Sequence, residues 1–99
     1  MSQTSQNELL DDETLLAEVA QLDGWEVESG RLRRRFEFDG FPGAMAFMVR
    51  VAFAAEAMNH HPNWSNVYNR VEVELWSHDL GGVSRSCVAL ARAMNDAAG

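Results

Sequence analysis

Apolar residues at helical spacing form the first clear pattern in the chain, and they predict a helix. These residues are Leu15, Leu16, Val19 and Leu22. A carboxylate at Asp11 or Asp12 can accept hydrogen bonds from the free amides of a first turn, so the helix is expected to start there. Gly24 is expected to end it.

Two strand-like stretches, residues 25–28 and 32–38, come next. The turn signal Ser29-Gly30 between them predicts a hairpin. Further along, residues 66–77 place Val71, Val73 and Leu75 between polar residues, which is the alternation of a half-buried antiparallel strand. Asn69 is a candidate bulge or turn that would divide this stretch into two shorter strands.

A long apolar segment from Pro42 to about Met58 predicts a central helix. Its apolar residues fall on two stripes: Phe47, Val51, Ala54 and Met58 on one, and Met45, Met48, Ala52 and Ala55 on the other. A helix that is apolar on two faces is normally buried on both, so this helix either lies centrally or packs on a partner subunit. Pro62 should end it, because proline disfavours a helical conformation at His61.

A last helix is predicted after Gly81-Gly82, with Ser84 as its cap. Its apolar positions are Val88, Ala91 and Met94, and it is expected to fray near Ala97. Consecutive strands joined by tight turns argue for an antiparallel sheet with helices on one face, which is an α+β fold. The length allows one domain, assigned to residues 9–96, after a flexible tail of residues 1–8.

Charge and cysteine content narrow the classes of function. The formal net charge is −7, whereas a nucleic-acid binder normally shows a basic patch. The one dense basic run, Arg31 and residues 33–35, lies in a predicted strand and is interpreted as a solvated strand face. Cys87 stands alone, so no intramolecular disulfide is possible, and no run of about 20 apolar residues suggests a membrane span. We therefore expect a cytoplasmic protein that binds neither nucleic acid nor membrane.

The chain has three histidines, and all of them lie at the ends of predicted elements. His60 and His61 follow the central helix, and His78 follows a strand. Histidine is the side chain best suited to move protons near neutral pH, so the three are a candidate catalytic cluster. Two alternatives stay open at this point: surface histidines without a function, and a metal site. The metal site is disfavoured because adjacent histidines rarely converge on one ion.

Three other side chains are weaker candidates. Trp64 and Tyr68 could line a pocket for a planar ring, or could equally be core or sheet residues. Cys87 falls on the expected inner face of the last helix, where a buried structural thiol is favoured over a reactive one.

Residues 56–71 read EAMNHHPNWSNVYNRV and residues 75–82 read LWSHDLGG. This combination closely resembles the pterin-4a-carbinolamine dehydratase family. Gly24-Trp25, the phenylalanines of the second strand and residues 41–47 also look like the family. The likeness extends from about Leu9 to Met94.

The resemblance implies a dehydratase (a hydro-lyase) that converts 4a-hydroxytetrahydrobiopterin, or a related 4a-hydroxytetrahydropterin, to a quinonoid dihydropterin and water. It implies no metal and no organic cofactor, and a functional link to an aromatic amino acid hydroxylase through tetrahydropterin recycling. It also implies four antiparallel strands with three helices on one face, and a homodimer or homotetramer.

By position in the family pattern, three residues are implied to be catalytic: His60, His61 and His78. Five more are implied to bind substrate: Glu56, Asn59, Trp76, Ser77 and Asp79. The chain departs from the family where Ser77 replaces a common threonine, where Trp76 is bulkier than usual, and where Cys87 replaces an acidic residue. The competing expectation is a non-catalytic dimerisation or assembly cofactor that binds a protein partner.

Overall fold

The structure, a computed structural model, describes residues 8–99, so most of the predicted tail lies outside the described residues. In chain order the elements are α1 (Asp12–Val19), β1 (Glu26–Glu28), β2 (Arg31–Glu37), α2 (Phe41–Met58), β3 (Asn63–Val67), β4 (Arg70–Leu75) and α3 (Arg85–Ala98). The strands form one antiparallel sheet in the order β1-β2-β4-β3. The predicted α+β class and four-stranded sheet with three helices are confirmed.

Helix α1 starts as predicted and ends earlier than predicted. The Asp11 carboxylate accepts a hydrogen bond from the Thr14 amide at 2.8 Å and caps the helix. The helix stops at Val19 because tighter turn bonds take over, with the Leu22 amide donating to the Val19 carbonyl. Of the apolar residues at helical spacing, Leu16 is 66% exposed, whereas Leu22, beyond the end of the helix, is buried.

Both hairpins close through two-residue turns. Ser29 and Gly30 both have positive φ, 54° and 74°, which matches the two-residue turn that suits twisted strands. The second hairpin turns at Tyr68 and Asn69, confirming the division suggested by Asn69. Strand β3, however, begins at Asn63, three residues before the predicted start.

The core lies between the sheet and the helices. Alternate residues of β2 and β4 face the helices and are buried: Leu32, Phe36, Val71, Val73 and Leu75. Helices α2 and α3 contribute further buried side chains: Ala44, Phe47, Val51, Ala55, Cys87, Val88, Leu90, Ala91 and Met94. The predicted inner face of α3 is confirmed, although the helix continues beyond Ala97 to Ala98.

The arginine run of β2 is divided between the two faces of the sheet. Arg31, Arg33 and Arg35 lie on the face away from the helices and pair with glutamates. Arg34 points to the helix side instead, so the expectation of a wholly solvated run was wrong there. Its guanidinium donates to the Asp23 carbonyl at 2.7 Å and to Oδ1 of Asn95 at 2.6 Å.

Asn95 joins α3 to the first hairpin. Its Oδ1 also accepts from Trp25 Nε1 at 2.8 Å, and its Nδ2 donates to the Asp23 carbonyl at 3.2 Å. Gly24 passes close to this group, with φ of 82°, and a Cβ there would lie 2.6 Å from Arg34 Nε. The positive φ favours glycine at this position before β1, whereas the Arg34 guanidinium is the end of a flexible side chain.

Helix α2 buries one face and leaves another open. Val49 is 56% exposed and Phe53 is 74% exposed, and Met58 from the predicted stripe is also exposed. The protomer thus does not bury the helix on both sides. By length and composition alone α2 could cross a membrane, with a mean hydropathy of 1.3, but its inner face packs in the core like that of many helices in globular domains.

Helix α3 begins at a sulfur-containing cap. Ser84 is its N-cap residue, and the Ser84 amide donates to Cys87 Sγ at 3.4 Å. The thiol occupies the place where a capping box carries Glu or Gln at the third helical position. Cys87 is fully buried, as predicted, and burial raises the pKa of its thiol.

Candidate active site

The β3–β4 hairpin determines where the histidines lie. In its register Asn63 pairs with Glu74, so the chain entering β3 and the chain leaving β4 run side by side. His60 and His61 stand just before β3, and His78 stands just after β4. The open end of a single hairpin therefore brings all three histidines to one place.

The end of α2 directs the first two histidines. Asn59 adopts the left-handed conformation with φ of 53°, which asparagine tolerates better than most residues. The Asn59 amide donates to the Glu56 carbonyl and the His60 amide to the Ala55 carbonyl. This is the Schellman pattern of helix termination, and it turns the chain sharply so that His60 leaves the helix axis.

A closed loop carries His78. The Ser77 amide donates to the Gly82 carbonyl at 2.7 Å, and the Gly81 amide donates to the Ser77 carbonyl at 2.8 Å. Ser77 Oγ accepts from the Leu80 amide at 3.2 Å. The backbone N–H and C=O of Ser77 are thus paired within the loop, and its hydroxyl keeps a hydrogen to donate and a second lone pair to accept with.

These segments enclose an open cavity of about 360 Å³. Its lining residues are Asn59, His60, His61, Pro62, Asn63, Trp76, Ser77, His78 and Asp79. Seven of the eight residues assigned from the sequence are among them, and the eighth, Glu56, contacts His61. Among residues 8–99, no three His, Cys, Asp or Glu side chains are grouped in a way that could hold a metal ion.

His60 is the most buried histidine of the cavity. Its Nε2 is inaccessible to solvent and has no hydrogen-bond partner within the described chain. Burial lowers the pKa of His60, and the nearby imidazoles of His61 and His78 lower it further. The neutral form of this imidazole is therefore favoured, with a nitrogen free to accept a proton.

His61 is paired with a carboxylate. Its Nε2 lies 3.0 Å from Glu56 Oε1, and both side chains are largely exposed. A carboxylate can only accept a hydrogen bond, so Nε2 of His61 carries a proton in this contact.

His78 is contacted by an amide and by an aromatic ring. Asn63 Nδ2 lies 3.3 Å from His78 Nε2, and the rings of Trp76 and His78 stack with centroids 4.5 Å apart. The Arg31 guanidinium lies 3.8 Å from the centroid of the Trp76 ring. Asn63 and Arg31 were not among the residues assigned from the sequence. The position of Asn63 directly after the His-His-Pro run was the one available signal.

The aromatic candidates lie elsewhere. Trp64 packs against the core from β3, and Tyr68 is exposed in the β3–β4 turn. Trp64 therefore has a sheet and core role and also borders a separate cavity beside β2, whereas Tyr68 has neither a core nor a sheet role.

The fold and the cavity together define a class: a small α+β protein in which the end of one hairpin holds a cluster of three histidines. The sequence model of the pterin 4 alpha carbinolamine dehydratase family matches residues 8–97, and the chain belongs to this family.

Individual relatives agree with this assignment. A protein of Synechococcus sp. (strain WH7803), provisionally named pterin-4-alpha-carbinolamine dehydratase, is 62% identical over 71 residues, which span 72% of this chain and 76% of that protein. A provisionally named relative from Prochlorococcus marinus (strain MIT 9303) is 49% identical over 87 residues, 88% of this chain and 91% of that protein.

Two solved structures are similar. The first is a transcriptional coactivator/pterin dehydratase from Brucella melitensis, with a TM-score of 0.90 and 37% identity, covering 93% of this chain and 100% of that chain. The second is a pterin dehydratase-like protein identified as a RuBisCO assembly factor in the alpha-carboxysome, with a TM-score of 0.63 and 25% identity, covering 76% of this chain and 87% of that chain.

Proposed function

We propose that this protein is a dehydratase that removes water from 4a-hydroxytetrahydrobiopterin, or a related 4a-hydroxytetrahydropterin, to give the quinonoid dihydropterin. The observation that carries the proposal is the convergence of His60, His61 and His78 on one cavity that also presents small polar side chains. Dehydration needs an acid that protonates the departing hydroxyl and a base that takes a proton from the neighbouring ring nitrogen. Positioned imidazoles can serve both steps.

His60 is proposed as the base. Its lowered pKa keeps the ring neutral at neutral pH, and its buried Nε2 has no partner in the described chain. A base in this state can take up a proton without first losing a hydrogen bond.

His61 is proposed as the acid. The Glu56 carboxylate, 3.0 Å from Nε2, compensates a positive charge on the ring. The opposite ring nitrogen of a protonated His61 can then give its proton to the departing hydroxyl. Glu56 also determines that Nε2 of His61 carries a proton, because a carboxylate only accepts hydrogen bonds.

The remaining polar side chains suit the edge of a pterin. Asn59 offers both an amide donor and an acceptor, Asp79 offers acceptors, and Ser77 offers its one free hydroxyl hydrogen. Trp76 lies beside them, and its ring stacks on His78. This set is proposed to orient the ring rather than to transfer protons.

The proposal includes the setting of the reaction. The reaction uses no metal and no organic cofactor, takes place in the cytoplasm, and supports an aromatic amino acid hydroxylase by returning its pterin product to the cycle. A homodimer or homotetramer is proposed as well, and the open face of α2 with Val49 and Phe53 supports it.

The direct test generates 4a-hydroxytetrahydropterin in situ with an aromatic amino acid hydroxylase. Its ultraviolet decay is followed with and without this protein, which has first been treated with a chelator. We expect the protein to accelerate the decay and His61→Ala to lower turnover at least about tenfold. His60→Ala/His61→Ala should abolish it, with circular dichroism as the check that the variant is folded. Unchanged turnover in the single variant would refute the role of His61.

A second candidate function is an assembly or dimerisation role without catalysis. The similarity to a pterin dehydratase-like protein identified as a RuBisCO assembly factor favours it, as does the exposed apolar face of α2. Folded protein that leaves the decay unchanged would favour this function over the dehydratase.

A further inference from the structure

His78 differs from the other two histidines because it is exposed, yet two neighbours restrict it. An exposed imidazole normally turns freely about its side-chain bonds. Here one nitrogen faces the Asn63 amide at 3.3 Å, and the ring lies at 23° to the Trp76 indole. Ring orientation and proton position are therefore both constrained before any ligand binds.

The contact with Asn63 selects one neutral form of His78. The atom that faces the ring is Nδ2 of Asn63, which can only donate. Nε2 of His78 must then be the unprotonated acceptor, so the proton of the neutral ring sits on Nδ1. Asn63 is held on β3 opposite Glu74 by the strand register, so its amide approaches from a fixed direction.

The contact with Trp76 is supported by a chain of charge interactions. Arg31 lies over the Trp76 ring at 3.8 Å, and its Nη1 is bound to Glu74 Oε1 at 3.1 Å. A guanidinium over an indole face is an attractive arrangement, and the glutamate fixes the guanidinium. The order of contacts is thus Glu74, Arg31, Trp76 and His78.

We propose that Asn63 and Arg31 are positioning residues for His78. Asn63 holds the ring in the form protonated on Nδ1, and Arg31 acts through Trp76 to fix the plane of the ring. In the dehydratase reaction His78 then presents a hydrogen-bond donor, Nδ1–H, to the substrate, which leaves the role of base to His60. The catalytic part of this inference rests on the proposed function, whereas the positioning part does not.

The first experiment measures the tautomer directly in the resting protein. Imidazole ¹⁵N shifts of histidine-labelled protein are recorded at about pH 8.5, well above the ordinary histidine pKa of about 6.5. We expect His78 to be protonated mainly on Nδ1. Asn63→Asp replaces the donor with an acceptor of the same size and should move the proton to Nε2. Val67→Asp is the control: it adds the same charge to the same strand, opposite Arg70, and should leave the tautomer of His78 unchanged.

A wild-type His78 protonated mainly on Nε2 would overturn the inference. So would a tautomer that is the same in the Asn63→Asp variant as in the wild type. If the Asn63→Asp variant does not fold, the wild-type spectrum alone decides which tautomer of His78 is present.

The second experiment tests Arg31 against a matched control. Arg35 lies on the same face of β2 and is also paired with a glutamate, but it has no contact with Trp76. Arg31→Met should weaken the ring-current shift that Trp76 imposes on the His78 protons, Arg31→Lys should restore much of it, and Arg35→Met should leave it unchanged. Equal effects of Arg31→Met and Arg35→Met would remove Arg31 from the inference.

Turnover provides the catalytic arm. Asn63→Asp and Arg31→Met should lower kcat by about tenfold, within the range of up to about 100-fold that small misplacements cause, with a smaller change in KM. If the wild type has no dehydratase activity but shows the Nδ1 tautomer, the proposed function fails and the positioning stands. If the wild type is active and His78 is protonated on Nε2, the proposed function stands and the positioning inference fails.

Discussion

Replacing Asn95 by alanine tests how the first hairpin is attached to α3. One oxygen, Asn95 Oδ1, accepts from both Trp25 Nε1 and the Arg34 guanidinium. Trp25 is 5% exposed, so its N–H has little access to water once this acceptor is removed. Arg34 keeps its second bond, to the Asp23 carbonyl, and is only partly buried.

The expected loss follows from these contacts. An unsatisfied buried indole N–H costs about 1–3 kcal/mol, and the hydrogen bond to the partly solvated guanidinium adds roughly 1 kcal/mol. The better helix propensity of alanine returns up to about 0.7 kcal/mol. The net loss in the free energy of unfolding is about 2–3 kcal/mol. For a domain of this size that is a fall in Tm of about 10–20 °C.

Denaturant unfolding measures this loss, with all variants at one protein concentration because the stability of an oligomer depends on concentration. Asn95→Asp is the control, because it keeps an acceptor for Trp25 and Arg34 and loses only the Nδ2 donor to the exposed Asp23 carbonyl, so it should cost less than the alanine variant. Asp96→Ala, the next position along the exposed side of α3, reports helix propensity alone. An alanine variant as stable as the aspartate variant would refute the assignment of Asn95 as the joint between hairpin and helix.

Three further outcomes are expected. The pKa of His60 is lowered in the folded state, so the unfolded chain binds more protons below about pH 6.5. The contribution of His60 to stability should be constant above that pH and should fall as the pH drops towards the pKa of the folded state. Urea titrations at two pH values should show this pH dependence in the wild type and not in His60→Gln. Cys87→Ala removes the sulfur acceptor of the Ser84 amide and should cost about 1–2 kcal/mol, while Cys87→Ser costs less; equal losses in denaturant melts would contradict the cap. Glu56→Gln keeps an acceptor for His61 but removes the charge, so kcat should fall by about tenfold with unchanged stability, and a rate equal to that of the wild type would exclude the ion pair from the mechanism.

Local patterns in the sequence were enough to predict most elements of the fold. The Ser29-Gly30 turn, the alternation around Val73 and the buried stripe of α3 each depend on residues close together in the chain. Each of these patterns can be recognised from a few consecutive residues, without knowledge of contacts to distant parts of the chain. The three helices were predicted from local patterns, and the family resemblance then implied four strands where the alternation alone left three or four open.

The errors occurred where distant parts of the chain decide the outcome. The start of β3 at Asn63 was missed because residues 63–67 do not alternate cleanly, and their strand form depends on pairing with β4. Arg34 was expected in solvent, but Asn95, far along the chain, supplies the acceptor that holds it on the helix side. The residues near Arg34 in the sequence give no indication that Asn95 is its partner.

The candidate site was predicted residue by residue only through the family pattern. Spacing alone showed that the histidines stand at element ends, not that those ends meet. The contacts of Asn63 and Arg31 require the register of β3 and β2 against β4, which no local pattern specifies. Glu56 could be placed near His61 because both lie within one short stretch at the end of α2.

The hairpin that gathers the histidines has a consequence for the order in which the chain can fold. A two-residue turn joins β3 to β4, so this pairing can close within about 1–10 μs, whereas Leu32 reaches Leu75 only after all of α2 and β3 have been enclosed. The ends that carry His61 and His78 can therefore meet before the central pair of strands forms. Substitutions in the turn at Tyr68 and Asn69 should then slow folding, while substitutions that weaken the β2–β4 pairing should act mainly on unfolding.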